Sequence, residues 1–162
     1  MVANEYIKGM TETTIEPNGT LTRAQLVTIL YRFAGEPNTE GMGIPFDDVK
    51  FGRFYSDAVS WAAYKGIVNG VTETTFAPND PVTRQQIAVI LYRLAGSPEV
   101  EGDLSAFDDG AEVSAYAEDA LVWATEAGLI NGITDNNKLN VDAKGNATRA
   151  QAATILYRWL EN

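Results

Sequence analysis

The chain contains no cysteine and no histidine among its 162 residues. Without cysteine there are no disulfides and no thiolate metal sites. Without histidine the commonest general base and the commonest transition-metal ligand are gone. Ser-His-Asp and Cys-His catalysis are therefore excluded within this chain. No apolar run reaches the roughly 18 residues that a membrane-spanning helix needs. Cations are scarce: 12 Lys+Arg stand against 22 Asp+Glu, a formal net charge of −10. Such a field repels phosphate, so general binding to nucleic acid or anionic membranes is disfavoured. The opening Met1-Val2-Ala3-Asn4-Glu5 has neither a basic region nor an apolar stretch of the signal-peptide kind. What is present is apolar matter: 45% hydrophobic residues suffice for a core and argue against wholesale disorder. The length suits one compact unit or an array of small ones.

The chain repeats. Tyr6–Pro17 lines up with Ile67–Pro78 at an offset of 61, and a third copy opens at Leu129–Thr134 at an offset of 62. Thr22-Arg23-Ala24-Gln25, Thr83-Arg84-Gln85-Gln86 and Thr148-Arg149-Ala150-Gln151 correspond, as do the Ile-Leu-Tyr-Arg runs ending at Arg32, Arg93 and Arg158. Phe46-Asp47-Asp48 matches Phe107-Asp108-Asp109, and Trp61-Ala62 matches Trp123-Ala124, with no counterpart ahead of residue 6. The pattern reads as a partial repeat over 1–41, lacking its leading helix, and full repeats over 42–103 and 104–162. Residue 1 falls inside the first repeat's leading helix, which reads as a cut through a longer chain.

Each repeat reads as helix, loop, helix. Apolar spacing predicts leading helices near 55–65 and 117–127, capped by Gly66 and Gly128, with Glu5 in that place in the first repeat. The second helices open on Thr22, Thr83 and Thr148. Gln25, Gln86 and Gln151 follow three residues on, the capping-box pattern. The Gly/Asn/Pro-rich stretch 66–82 is the loop between helices. In the third repeat Val141 stands where Pro17 and Pro78 are expected, with extra residues around 142–146. The linkers 36–45 and 97–106 offer little that packs. One helix pair cannot bury both apolar faces, so the repeats must pack on one another.

Six of the 12 basic residues are the recurring arginines. Arg23, Arg84 and Arg149 follow the N-cap, where a cation opposes the helix dipole. Two readings stand: an anion site, using the planar donor fork and the helix end, or a salt bridge to an acid such as Asp47 or Asp48. Arg32, Arg93 and Arg158 read as structural, nearer the favourable end of the dipole. Trp61 and Trp123 read as core, with sugar stacking at a groove edge as the alternative. Gly70 and Gly132 read as turns that would also let a ligand approach the backbone. The Asp-Asp pairs lack the spacing of an EF-hand loop, and Thr134–Lys138 is a polar turn. The sequons at Asn18 and Asn146 are frequent chance matches. Nothing singles out an acid and a nucleophile for glycosidase chemistry, and no cofactor or metal is called for.

Taken together, Phe-x-Asp, Trp-Ala, Asn-Gly, Phe-x-Pro, Thr-Arg-x-Gln and Ile-Leu-Tyr-Arg resemble the S-layer homology domain over nearly the whole chain. That resemblance implies an all-α fold, tandem helix-loop-helix repeats in a pseudo-threefold arrangement around a central helix bundle. It implies a non-catalytic, extracellular module anchoring a bacterial surface protein to the cell wall or S-layer. The implied ligand is a secondary cell-wall polysaccharide, acidic and often pyruvylated, held in grooves between repeats. The arginine role carries onto Arg23, Arg84 and Arg149, with Trp61, Trp123, Gly70, Gly132, Asp48 and Asp109 as further candidate glycan contacts. The usual glutamate of the Thr-Arg-Ala-Glu signature is glutamine here, which keeps the capping box and drops a charge. The alternative is a self-assembly module of a surface-layer protein, with the arginines in structural ion pairs and neighbouring surface-layer chains as partners.

Overall fold

The computed structural model describes residues 19–161; the first repeat's motif at 6–17, with Glu5 and Pro17, lies outside the described residues. Five α-helices are described: α1 (Arg23–Phe33), α2 (Ser56–Tyr64), α3 (Arg84–Leu94), α4 (Glu118–Glu126) and α5 (Arg149–Glu161). The leading helices sit within a residue or two of their expected bounds. All three second helices start on the expected capping box. Thr22, Thr83 and Thr148 each accept from the backbone N–H of the glutamine three residues on, whose side chain accepts in return from the threonine N–H.

The all-α expectation is corrected. Strands β1 (Ile133–Asp135) and β2 (Lys138–Asn140) form an antiparallel hairpin with Ile133 opposite Asn140. Isolated bridges join Thr20 to Thr148, Thr22 to Pro81 and Thr83 to Asn146. The content is mixed, and backbone pairing rather than a central helix bundle alone joins the repeats. The hairpin arises from the extra residues of the third repeat, which lie earlier than the sequence alignment placed them. Asp48 Oδ1 accepts from Phe76 N and Asp109 Oδ1 from Val141 N. Hence Val141 takes the place of Phe76, and Ala143 that of Pro78. The insertion falls between Ile133 and Val141, where Asn136 and Asn137 turn the chain at φ of 49° and 63°. Asparagine tolerates that left-handed region better than most residues, and two such residues suit a two-residue hairpin loop.

Three equivalent, buried residues close a ring of hydrogen bonds. Leu21 N donates to Ala147 O at 3.4 Å, Ala147 N to Val82 O at 3.0 Å, and Val82 N to Leu21 O at 2.8 Å. A second ring runs the other way. Arg23 N donates to Asp80 O, Arg84 N to Gly145 O, and Arg149 N to Gly19 O, at 2.8 to 3.0 Å. Each second helix thus gives its first free backbone donor to the next repeat, satisfying a group that would otherwise be orphaned.

Helix pairing also crosses repeat boundaries. α1 packs on α2, and α3 on α4. Tyr31 meets Trp61 at 5.7 Å between ring centroids, and Tyr92 meets Trp123 at 5.6 Å. The tyrosine hydroxyls donate to Pro37 O and Pro98 O, fastening the linkers. Those linkers pack more than their composition suggests. Leu104 is buried, and Met42, Ile44 and Val100 lie against the core. The second helix of one repeat, the linker and the leading helix of the next form one packed unit.

Candidate functional site

Arg23 begins with a conflict, a cation at the positive end of a helix dipole. The structure resolves it locally. Nε donates to Phe76 O of the next repeat at 2.8 Å. The guanidinium carbon lies 4.8 Å from the Phe76 ring centroid, a cation–π distance. Arg84 repeats the arrangement, with Nε donating to Val141 O at 3.0 Å and Nη2 to Asn131 O at 3.2 Å. Both side chains are buried. Burial lowers their pKa values from the ordinary arginine range, offset in part by Asp80 and Asp48 around Arg23 and by Asp142 and Asp109 around Arg84. Arg149 stands at the equivalent place on α5 and is less covered.

Asp48 and Asp109 hold the loops that receive those arginines. Asp48 accepts from Phe76 N and Ala77 N at 2.9 and 2.8 Å; Asp109 accepts from Val141 N and Asp142 N at 2.7 and 2.8 Å. Each carboxylate pins a residue at positive φ, 58° at Ala77 and 51° at Asp142. The aspartates thus act on the arginines through one peptide unit rather than by direct ion pairing. Among the described residues, neither Arg23 nor Arg84 forms a salt bridge.

The arginines open onto two corresponding grooves. The first, about 480 Å³, is lined by Arg23, Asn69, Gln86, Ile90, Arg93 and Tyr116, among others. The second, about 230 Å³, is lined by Arg84, Asn131, Gln151, Ile155 and Arg158 with their neighbours. Each groove therefore carries two guanidinium groups, one from each of two consecutive repeats. Arg93 Nη1 donates to Ile67 O at 3.3 Å. Asn131, with its amide oxygen turned toward Arg158, accepts from both Nη atoms at 3.2 Å. In the first groove the two Nη atoms of Arg23 have no hydrogen-bond partner among the described residues. Burial lowers the pKa of Arg93 as well, while Tyr116 offsets this for both Arg93 and Arg23.

The grooves differ from the sequence expectation in membership. Arg93, Arg158, Asn69, Asn131 and the capping glutamines line them, although sequence reasoning assigned the second arginines to structure alone. Their recurrence alongside Asn-Gly was the available signal. Trp61 and Trp123 lie in the helix seams against tyrosine, away from both grooves. Gly70 lines the first groove at φ 77°, and a Cβ there would meet the Phe46 ring at 2.6 Å. At Gly132 a Cβ would collide with Leu139 and come within 2.9 Å of the Phe107 ring. Both glycines thus make room for the Phe of the Phe-Asp-Asp motif. The expected help from the helix ends is also absent at α1 and α3. Their first donors serve the neighbouring repeats, Ala24 N going to Pro78 O and Gln85 N to Ala143 O. A bound anion in these grooves would have to be held by side chains. Among the described residues no acidic cluster is arranged to hold a metal ion.

Comparisons with known proteins agree with this repeat pattern. The S-layer homology domain profile matches residues 1–27, 45–88 and 106–153. The chain is 37% identical over 156 residues to the surface-layer 125 kDa protein of Lysinibacillus sphaericus, a match covering 96% of this chain and 13% of that protein. It is 35% identical over 166 residues to an amylopullulanase of Thermoanaerobacterium thermosulfurigenes, covering 99% of this chain and 9% of the enzyme. In fold it is similar to an undecaheme cytochrome from the S-layer of Carboxydothermus ferrireducens, with a TM-score of 0.50 at 16% identity, covering 96% of this chain and 20% of that one.

Proposed function

The chain belongs to the S-layer homology domain family, a module of the extracellular cell wall and surface layer, and on that premise we propose that it anchors a larger surface protein by binding an acidic secondary cell-wall polysaccharide. The observation that carries this reading is the paired guanidinium groups in each of two corresponding grooves. An acidic protein attracts an acidic glycan only through local, fixed cations, and a guanidinium fork matches a carboxylate in two-point geometry. In the first groove Arg23 uses Nε for the fold and leaves Nη for a ligand, while Asn69, Gln86 and Tyr116 offer partners for sugar hydroxyls. Pyruvylated sugar ends are the ligand chemistry that fits best. The module is itself non-catalytic. Relatives that are enzymes contain the matched region as a small share of their length, which supports an attached-module reading. The working units are the repeats 1–41, 42–103 and 104–162, the second groove drawing on two of them and the first, through Tyr116, on all three. Several grooves on one polymer would add avidity.

A second reading has its own support. The Arg23 and Arg84 Nε bonds to carbonyls of the next repeat favour arginines as structural clamps, in a module that assembles with neighbouring surface-layer chains. Sedimentation of the folded chain with purified wall polymer, before and after removal of the polymer's acidic groups, separates the two. Anchoring predicts co-sedimentation that disappears with the acid groups. A chain that associates with itself and ignores the polymer supports the clamp reading instead.

A further inference from the structure

An Asn-Gly pair stands at the same place in each groove, Asn69-Gly70 in the first and Asn131-Gly132 in the second. Asn131 is held twice. Its backbone carbonyl accepts from Arg84 Nη2 at 3.2 Å, and its side-chain oxygen accepts from both Nη atoms of Arg158 at 3.2 Å. Asn69 is exposed. Neither its side chain nor its carbonyl has a hydrogen-bond partner among the described residues, because Arg23 Nε donates to Phe76 O and Arg93 Nη1 to Ile67 O. Gly70 N and Gly132 N donate to nothing among the described residues, although Val71 N and Thr72 N beside them both donate to Thr75 O. The two pairs therefore differ in the asparagine, one fastened and one loose.

A glycine after asparagine has no side chain to shield its amide nitrogen, which leaves that nitrogen open to internal attack on the asparagine. We propose that Asn69 is a self-modification site, converted to aspartate and isoaspartate while Asn131 is spared. Gly70 N gives its proton to solvent and attacks Asn69 Cγ, forming a C–N bond. The bond from Cγ to Nδ2 breaks, and the nitrogen leaves as ammonia after taking up a proton. Water then opens the cyclic imide at either carbonyl, with no change of oxidation state. The attack is intramolecular, so its rate follows how freely Cγ meets the nitrogen. The Asn69 side chain is at liberty to turn; that of Asn131 is fixed toward Arg158. Either product adds a negative charge to a groove lined by Arg23 and Arg93. Asn131 touches Arg158 at the corresponding place, so a carboxylate at 69 is set to pair with Arg93 and to repel an acidic glycan. The modification stands independently of the glycan reading; only its consequence for binding rests on that reading.

The test is to age the chain in warm, mildly alkaline buffer, folded at start and end by circular dichroism, and to map each asparagine by peptide mass spectrometry. The expected result is aspartate and isoaspartate at 69 accumulating severalfold faster than at 131. Arg158→Gln should release Asn131 and bring its rate up toward that of Asn69. Co-sedimentation of the same samples with acidic wall polymer should fall as Asn69 is consumed, while an Asn69→Gln chain keeps its own level through the same ageing. An Asn69 that stays intact, or that reacts no faster than Asn131, overturns the site. Conversion of Asn69 with binding undiminished overturns its effect on the groove. A fresh, folded chain that ignores the polymer contradicts the anchoring reading instead, and the mapping still decides the modification.

Discussion

Arg23 and Arg84 each divide one guanidinium between two tasks. Nε closes a hydrogen bond to the next repeat, and the far end of the side chain faces a groove. Lysine has no fork and reaches as a single point, so it cannot do both. Arg84→Lys should lower stability by about 1–3 kcal/mol, the cost of leaving a buried acceptor unmet, as read by urea denaturation. The aspartates offer a parallel test. Asp48→Ala removes two charge-assisted bonds from Phe76 N and Ala77 N, releasing a residue held at positive φ. A loss of about 1.5 kcal/mol is expected, near the low end for such bonds because Asp48 is exposed. The sequence identified both residue types by their recurrence. It could not show that they meet through a backbone carbonyl of another repeat, because that contact spans 53 residues at Arg23 and 57 at Arg84.

The helices were legible because their signals are local. A capping threonine, a glutamine three residues on and 3.6-residue apolar spacing lie within one stretch of chain. Thr83→Ala should cost about 1 kcal/mol, the usual loss for a capping side chain, measurable as a lowered denaturation midpoint. The hairpin was not legible. Its strands are three residues each, with Ile133 and Leu139 partly exposed, so no buried face imposes an alternating pattern. Its register is fixed instead by Asp108 and Asp109, which grip Leu139 N and Val141 N from outside. Because the grip rather than the hairpin sets the loop, replacing residues 134–140 by the shorter Thr72–Thr75 sequence should change stability by less than about 0.5 kcal/mol, as judged by thermal denaturation. The linkers misled for a related reason. Their few apolar residues are spaced irregularly, yet tyrosine hydroxyls tie Pro37 and Pro98 to the helices before them.

Three repeats make one cooperative body because each satisfies the others' backbone. Ending the chain after residue 103 would leave Leu21 N without its Ala147 acceptor and Arg84 N and Gln85 N without Gly145 and Ala143. It would also remove the Val141 carbonyl that meets Arg84. The shortened chain should lose its cooperative thermal transition, a result that circular dichroism reads directly. The repetition itself was plain from the sequence. Its threefold closure was implied by the family resemblance alone, since the main-chain bonds among Leu21, Val82 and Ala147 that close the ring leave no motif in the sequence. The same closure sets two arginines of different repeats in one groove, on which the functional account depends. Calorimetric titration of the chain with pyruvylated wall-polymer fragments, beside Arg93→Gln and Arg158→Gln variants checked for folding by circular dichroism, tests that account most directly. It predicts saturable binding by the parent chain, weakened in the folded variants by about 1.5–3 kcal/mol for each groove affected, the range for hydrogen bonds to charged groups. Undiminished binding in both folded variants, or no binding by the folded parent, would contradict it.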